Sequence, residues 1–290
     1  MLKLSTCIEN AAQQMDKADL VYGHGTDNSW DEAAWLVLHA LGMPVTEEVD
    51  LDLTIDPSHI PAINAIVKQR IESRKPAAYL TGTAWFYGLP FHTMDGVIVP
   101  RSHIGGFLLD DGKPWIKPGS VKRILDLCTG SGCIAVAAAM TFPEAAVDAT
   151  DIDPLALKLA EKNIAEYELN DRITLIESNL YQNLSGIYDL ILSNPPYVPH
   201  DEIATFPAEY QHEPAVAFDG GPDGLALVRK ILHDACRFLE TEGHIVVEVG
   251  ESWTTLEEAY PQIPFNWLET GVEDSGLFIM DKSELVKHFI

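Results

Sequence analysis

Asn194-Pro195-Pro196-Tyr197 combines groups that suit one task, holding a planar NH2 group. An Asn side-chain oxygen and a proline carbonyl can accept its two hydrogens, while an aromatic face lies on its plane. Consecutive prolines donate no backbone hydrogen bond and continue neither a central strand nor a helix, so the chain leaves here as a stiff, pre-set loop. Asn194, Pro195, Pro196 and Tyr197 are therefore the candidate catalytic residues. A rigid turn with an incidental Asn is the plain alternative, and the surroundings have to choose between the two.

A second group lies upstream. Asp126-Leu127-Cys128-Thr129-Gly130-Ser131-Gly132 puts two glycines where the backbone can turn tightly and come close to a ligand. Twenty-five residues after Asp126, Asp151 offers a carboxylate to a ribose diol. The loop lacks the third glycine of a dinucleotide fingerprint, and no Lys-Ser/Thr pair follows to hold phosphates. Asp126 would repel a pyrophosphate. It suits instead a cofactor with a cationic amino-acid end, such as S-adenosylmethionine.

Placing both groups on one rim requires a sheet. Strand patterns occupy residues 123–127, 146–150, 173–176, 187–192 and 244–249, and helical patterns occupy 133–140, 154–167 and 225–239. Pro154 falls in the first turn of its helix, where a missing N–H costs nothing. This alternation predicts an α/β fold: a parallel, doubly wound sheet with helices on both faces, closed by a pair of strands at 265–268 and 277–280. Ligands bind outside the carboxyl ends of such strands, where Asp126, Asp151 and Asn194 all fall.

The N-terminal part reads as helical. Ser29 followed by Trp30-Asp31-Glu32 has capping-box spacing ahead of a helix that Gly42 and Pro44 stop. Asp56-Pro57 starts another, which Lys75-Pro76 ends. The Tyr22-Gly23-His24-Gly25-Thr26 stretch reads as a glycine-rich connector. Trp85-Phe86-Tyr87, a Gly88-Leu89-Pro90 turn and Phe91-His92-Thr93-Met94 form a β-hairpin pattern. The expected organisation is a helical domain over 1–83, a hairpin linker over 84–102 and a catalytic domain over 103–290.

At 290 residues, with 47% hydrophobic and 22% charged residues, the chain can build a substantial core in one large domain or two. No apolar run reaches the length of a membrane span. The first twenty residues carry Glu9, Asp16 and Asp19 and lack a signal-peptide core, so a cytoplasmic location is expected. Cys7, Cys128, Cys133 and Cys236 form no pattern of paired metal ligands, so free thiols and no metal are expected. The net charge of −25 runs through both parts: residues 1–84 carry 6 basic and 12 acidic side chains, the rest 13 and 32. Such a surface repels a nucleic-acid duplex and attracts a basic protein. Solubility alone would also account for it.

Together, the Asp126 to Gly132 loop, the acidic end of the second strand and Asn194-Pro195-Pro196-Tyr197 resemble the class I S-adenosylmethionine-dependent methyltransferases that act on NH2 groups. Val99-Pro100-Arg101, the helical N-terminal part, Glu213-Pro214 and Gly220-Gly221-Pro222-Asp223-Gly224-Leu225 narrow the likeness to the protein glutamine methyltransferases of the release-factor and ribosomal-protein type. Within that family, Tyr22-Gly23-His24-Gly25-Thr26, Asp126 to Cys133 and Glu209-Tyr210-Gln211-His212-Glu213-Pro214 are similar to the bacterial branch for large-subunit ribosomal protein L-three. The release-factor branch usually carries Gly-Thr-Gly where Cys128-Thr129-Gly130 stands. The likeness covers nearly the whole chain.

The resemblance implies a Rossmann-like fold binding S-adenosylmethionine through Asp126, Cys128, Thr129, Gly130, Ser131, Gly132, Asp151, Ile152, Asn179, Leu180 and Asn194. It implies methyl transfer to a glutamine amide gripped by Asn194 to Tyr197, and a helical domain that recognises the substrate. The implied partner is a basic ribosomal protein, with no stable binding to nucleic acid or membrane. Two positions depart from the family pattern. His103-Ile104-Gly105-Gly106 lacks the usual acidic residue after Pro-Arg, and Ser178-Asn179 stands for Ser-Asp. The Asn179 amide oxygen can still accept from the adenine amine. Three other readings stay open: the Gly-Gly-Gln glutamine of class I release factors as target, a nucleic-acid base amine, which the charge opposes, and a non-catalytic ribosome-assembly scaffold.

Overall fold

Alternating side chains decide the sheet. Ile124 shares one buried face with Val147, Ala149, Leu190 and Leu192, while Leu125 and Leu127 share the other with Ile191, Ile245 and Val247. Strands buried on both faces need helices on both, the condition that parallel sheets meet. In the computed structural model, which describes residues 2–45, 49–117, 119–272 and 275–289, the strands are β1 (Arg123–Leu127), β2 (Ala146–Asp151), β3 (Ile173–Glu177), β4 (Tyr188–Ser193), β5 (Leu239–Glu248), β6 (Asn266–Trp267) and β7 (Leu277–Asp281). They lie in the order β6-β7-β5-β4-β1-β2-β3. The five strands from β5 to β3 run parallel; β7 is antiparallel to β5, and β6 to β7. The order reverses between β1 and β4, which makes their carboxyl ends the topological switch point. This is the class I α/β fold, a mostly parallel sheet with flanking helices.

Helices Cys133–Thr141 and Pro154–Glu166 cover the first face through Ile134, Ala138, Ala160 and Ile164. Helices Ala226–Ala235 and Lys282–Phe289 cover the second through Val228, Ile231, Leu232 and Leu285. Each fully buried aliphatic of this size contributes roughly 1.5–3 kcal/mol, against about 1 for a cap, so the faces fix where the rim loops emerge. Pro154 takes the first helical position, and Asp153 Oδ1 accepts from Leu155 N at 2.8 Å.

Two boundaries differ from the sequence pattern in this unit. The helix expected over 225–239 stops at Ala235, and β5 starts at Leu239, ahead of the expected residue 244. Buried Leu239 pairs with Tyr188, a partner remote in sequence, while Glu240, Thr241 and Glu242 face solvent and hide the strand from a hydrophobic pattern. The hairpin strands are Thr83–Phe86 and Leu89–His92. Its turn is Tyr87-Gly88, with φ of 48° and 81°. Two positive φ values match the twist of the flanking strands, so Pro90 lies in the second strand rather than in the turn.

The sheet and its helices belong to a unit of Trp85–His92, Gly96–Thr205 and Glu213–Ile290. The other compact unit comprises Met1–Ala84, Thr93–Asp95 and Phe206–His212. Its main helices are Leu4–Lys17, Ser29–Ala40 and Ile60–Ser73. Asn28, not Ser29, caps the second: its extended backbone (φ −149°) frees Oδ1 to accept from Asp31 N at 2.9 Å, whereas Ser29 is already helical. Asp56 Oδ1 accepts from Ser58 N at 2.8 Å and starts a short 3-10 turn into the third.

The Tyr22 to Thr26 stretch is part of this unit's core rather than a plain connector. His24 is buried with its ring 4.4 Å from that of Tyr210, and a Cβ on Gly23 would collide with the Tyr210 hydroxyl. Beside them Arg70 Nε bonds Glu32 Oε1 at 2.6 Å, Arg74 Nε bonds Glu209 Oε1 at 2.8 Å, and Val21 N donates to Glu209 Oε1 at 3.1 Å. Among the described residues no helix is long and apolar enough to cross a membrane, and no group of three or more His, Cys, Asp or Glu could hold a metal ion. All four cysteines are free thiols; Cys128 is partly exposed and the other three are buried.

Candidate active site

Parallel pairing sets Leu127 beside Thr150 and Ser193, and Asp151 beside Glu177. The ends of β1, β2, β3 and β4 therefore lie side by side. These strand ends and the loops that follow them carry every sequence-predicted site residue.

The glycine loop leaves β1 through Cys128, at a φ of 61°, and Gly130 and Gly132 follow at 54° and 81°. Left-handed steps at these three alternate positions make a turn that side chains resist, and at Gly132 a Cβ would also come within 3.3 Å of the Ala160 backbone. Thr129 N donates to Thr150 O, and Gly130 N to Asp151 Oδ2, both at 2.9 Å. Asn163 Nδ2 donates to Ser131 O at 2.9 Å while its Oδ1 accepts from His92 N at 2.8 Å. Gly132 leads directly into helix Cys133–Thr141, so the loop is held from β2, from helix Pro154–Glu166 and by its own helix. Burial pushes the Cys128 thiol well above its usual range and favours the protonated form.

Asp126 is fully buried on the same face as Ile124. Thr129 Oγ1 donates to its Oδ2 at 2.5 Å, and its Oδ1 has no partner. Burial, reinforced by Asp151, lifts its carboxyl to about 7. Asp151 accepts Gly130 N on Oδ2 and Asp153 N on Oδ1 at 3.0 Å; burial raises it too. Each of its oxygens keeps a second lone pair. Ile152, next in the chain, is 56% exposed and offers an apolar face beside that carboxylate. Ser178 N donates to Asp151 O at 2.9 Å, and Ser178 Oγ to Leu180 O at 2.7 Å, which brings Leu180 and exposed Asn179 to the β2 end. This donor set fits S-adenosylmethionine. Among the described residues no cation pairs with Asp126, Asp151 has acceptors for a diol, and Ile152 and Asn179 offer an exposed apolar side chain and an exposed amide.

Beyond β4 the chain reaches Asn194. Its Nδ2 donates to Arg101 O at 3.1 Å, and because a carbonyl only accepts, this bond fixes the orientation of the amide. Its Oδ1 is buried without a partner, a state that costs about 1–3 kcal/mol unless a ligand's N–H relieves it. Pro195 is buried and Pro196 and Tyr197 half-buried. Ser252 Oγ donates to Tyr197 O at 2.8 Å. A Cβ on Gly224 would meet that same carbonyl, and one on Gly250 would lie 2.6 Å from the Tyr197 ring. The Gly220 to Leu225 motif and the glycine after β5 thus leave room for the loop to lie flat.

Three residues support this loop: Arg101 and Glu213, which the sequence offers as parts of its motifs, and Glu248, which the sequence reading missed. Arg101 bonds Glu213 through two parallel contacts, Nη1–Oε1 at 2.9 Å and Nη2–Oε2 at 2.6 Å, and Glu213 Oε1 also accepts from Val99 N at 2.8 Å. This fork locks the backbone that holds Asn194, so the Arg101 side chain is a structural partner. Glu248, at the end of β5, is 3% exposed; its Oε2 accepts from Ser102 Oγ at 2.6 Å and His103 N at 2.8 Å. Burial lifts it to about 7. A carboxylate ending the apolar run Ile245-Val246-Val247 was the available signal.

A family model described as methyltransferase small domain matches residues 115–209. The ribosomal protein uL3 glutamine methyltransferase of Bordetella pertussis is 44% identical over 286 residues, covering 97% of this chain and 96% of that one. The protein of the same name from Burkholderia pseudomallei is 43% identical, covering 96% and 94%. That from Neisseria gonorrhoeae is 42% identical, covering 95% and 93%. With more than two residues in five shared along nearly its whole length, the chain belongs to the family of ribosomal protein uL3 glutamine methyltransferases.

Proposed function

We propose that this chain transfers a methyl group from S-adenosylmethionine to the side-chain amide nitrogen of a glutamine in large-subunit ribosomal protein uL3. The observation that carries the reading is the state of Asn194: its donor is spent on Arg101 O, and its acceptor is buried and free. A glutamine NH2 supplies what that acceptor lacks, and the Pro195 carbonyl takes the second hydrogen. Bound S-adenosylmethionine supplies an electrophilic sulfonium methyl. Asp126, Cys128 to Gly132, Asp151, Ile152, Asn179, Leu180 and Asn194 would hold it at the rim of the sheet.

An amide nitrogen is a poor nucleophile because its lone pair is delocalised into the carbonyl. Two N–H bonds accepted by Asn194 Oδ1 and Pro195 O increase the electron density on it and hold it in line, so orientation and electrostatics lower the barrier. Tyr197 lies against the amide plane. The nitrogen gains the methyl and loses one proton afterwards, so no strong base is needed during transfer. The helical unit selects the protein substrate in the cytoplasm. A charge of −25 favours a basic partner, and binding should weaken with added salt.

The test is a transfer assay with methyl-labelled S-adenosylmethionine, offering purified uL3, a class I release factor and duplex DNA side by side. Label on a uL3 glutamine is expected. Label only on the release factor moves the specificity, label only on DNA overturns the reading of the charge, and no label makes the chain a scaffold.

A further inference from the structure

Among the described residues of the helical unit four large apolar side chains are exposed, and three of them gather at one place. Leu2, Leu51 and Leu53 are 41%, 46% and 39% exposed; the fourth, Trp30, belongs to helix Ser29–Ala40. A single exposed leucine is ordinary, whereas a cluster marks a surface that something covers.

Backbone pairing brings the three together. Strand Leu2–Lys3 runs antiparallel to Thr54–Ile55, with Leu2 opposite Ile55 and Lys3 opposite Thr54. Leu4 N then donates to Leu53 O at 2.8 Å and Ser5 N to Leu51 O at 3.0 Å, which continues the contact past both strands. Residues opposite one another point to the same side, and so do residues two apart on an extended chain. Leu2, Ile55 and Leu53 therefore share one side. The Lys3–Asp52 ion pair, at 2.7 Å, lies on the other with Thr54, as the same alternation requires. Ile55 is buried at 4%, so the apolar side is closed at its inner end and bare at its outer end.

The charges around it narrow what can cover it. Asp50, Asp52 and Asp56 are all exposed there, and the adjacent ammonium of Lys3 is committed to Asp52. A second copy docking by two-fold symmetry would press these carboxylates against their own counterparts. Nucleic acid is repelled for the same reason. The surface fits a protein segment that is apolar at its centre and basic at its edges.

We propose that Leu2, Leu51 and Leu53, rimmed by Asp50, Asp52 and Asp56, are the surface on which the helical unit docks a basic segment of uL3. The proposal rests on the reading of uL3 as the substrate. The surface contributes to binding and takes no part in the transfer step, so its loss raises KM and leaves kcat alone.

The experiment compares the native protein, Leu51→Lys/Leu53→Lys and Asp50→Asn/Asp52→Asn in methylation of uL3, with calorimetry of S-adenosylmethionine binding and sedimentation of each protein. The lysine pair opposes both the apolar contact and the basic partner. It should raise KM for uL3 about 20-fold, with kcat and cofactor affinity within about twofold of native. The asparagine pair keeps the oxygens that accept from the residue 52 N–H and from Lys3 Nζ, so the turn survives. It should raise KM about fivefold at about 0.05 M salt and under twofold at about 0.5 M, where exposed charges are screened. A native KM in the lysine pair overturns the docking surface and leaves uL3 as the substrate. If the native protein leaves uL3 unlabelled, that reading falls and this proposal with it. A native dimer that the lysine pair splits assigns the surface to a second copy and overturns the proposal too. If the lysine pair does not fold, the asparagine pair decides: an unchanged KM at low salt overturns it.

Discussion

Each unit of this protein buries ionisable groups, and the two units do so on opposite terms. In the helical unit Glu32, Arg70 and Glu209 are almost fully buried, and each carboxylate meets a guanidinium: Glu32 that of Arg70, Glu209 that of Arg74. In the α/β unit Asp126 and Glu248 are equally buried, but their hydrogen-bonded partners are hydroxyls and a backbone N–H. Burial lifts both carboxyls to about 7. Glu32 is also raised by burial, but the Arg70 guanidinium opposes the shift. A charge that only holds a fold together is matched by an opposite charge. Asp126, which lines the candidate ligand site, is left partly unmatched, so that a ligand would complete it.

Arg70→Ala tests the helical side of this contrast hardest. It strands Glu32 in a dry interior, and urea titration should show a loss of about 3–5 kcal/mol with S-adenosylmethionine affinity unchanged. A loss below about 1 kcal/mol would mean that the cluster is more hydrated than its burial indicates. On the other side, Asn194→Ala should leave the urea midpoint nearly unmoved while kcat on uL3 falls about 100-fold or more.

The pH dependence of cofactor binding sharpens the contrast at Asp126. Its folded pKa is raised, so its contribution to stability is present below the ordinary carboxylate range and is lost as pH rises through about 7. A bound cation favours the charged form. The dissociation constant for S-adenosylmethionine should therefore tighten between about pH 6 and 8, by at most about tenfold per unit, and Asp126→Asn should flatten the slope in calorimetry. The smallest effect belongs to the helical unit. Asn28→Ala should cost about 1 kcal/mol by denaturant titration, and Ser29→Ala no more than about 0.5, because only Asn28 bonds the helix N-terminus.

The parallel strands and the glycine loop were legible because their signals are local. β1 matches its predicted bounds, and β2 and β3 end one residue later than their alternation indicates. Pro154 and the two prolines after Asn194 announce their geometry by what they cannot do. The start of β5 was illegible because its partner Tyr188 lies far away in sequence and its middle is polar. Asn28 and Ser29 are both good caps by type, and only the backbone angles choose between them.

Sequence by itself determined the reaction class. Asp126, the two loop glycines, Asp151 and Asn194-Pro195-Pro196-Tyr197 are residue types whose chemistry is intrinsic, and β-α alternation sends them to one rim. Tertiary structure alone decided what each group has left to offer. That Asn194 spends its NH2 on Arg101 O, that Arg101 is committed to Glu213, and that Glu248 accepts from Ser102 are contacts across 93, 112 and 146 positions of chain. Hydrogen-bonding capacity is a property of a residue, but whether it is spent depends on neighbours that only the fold brings near.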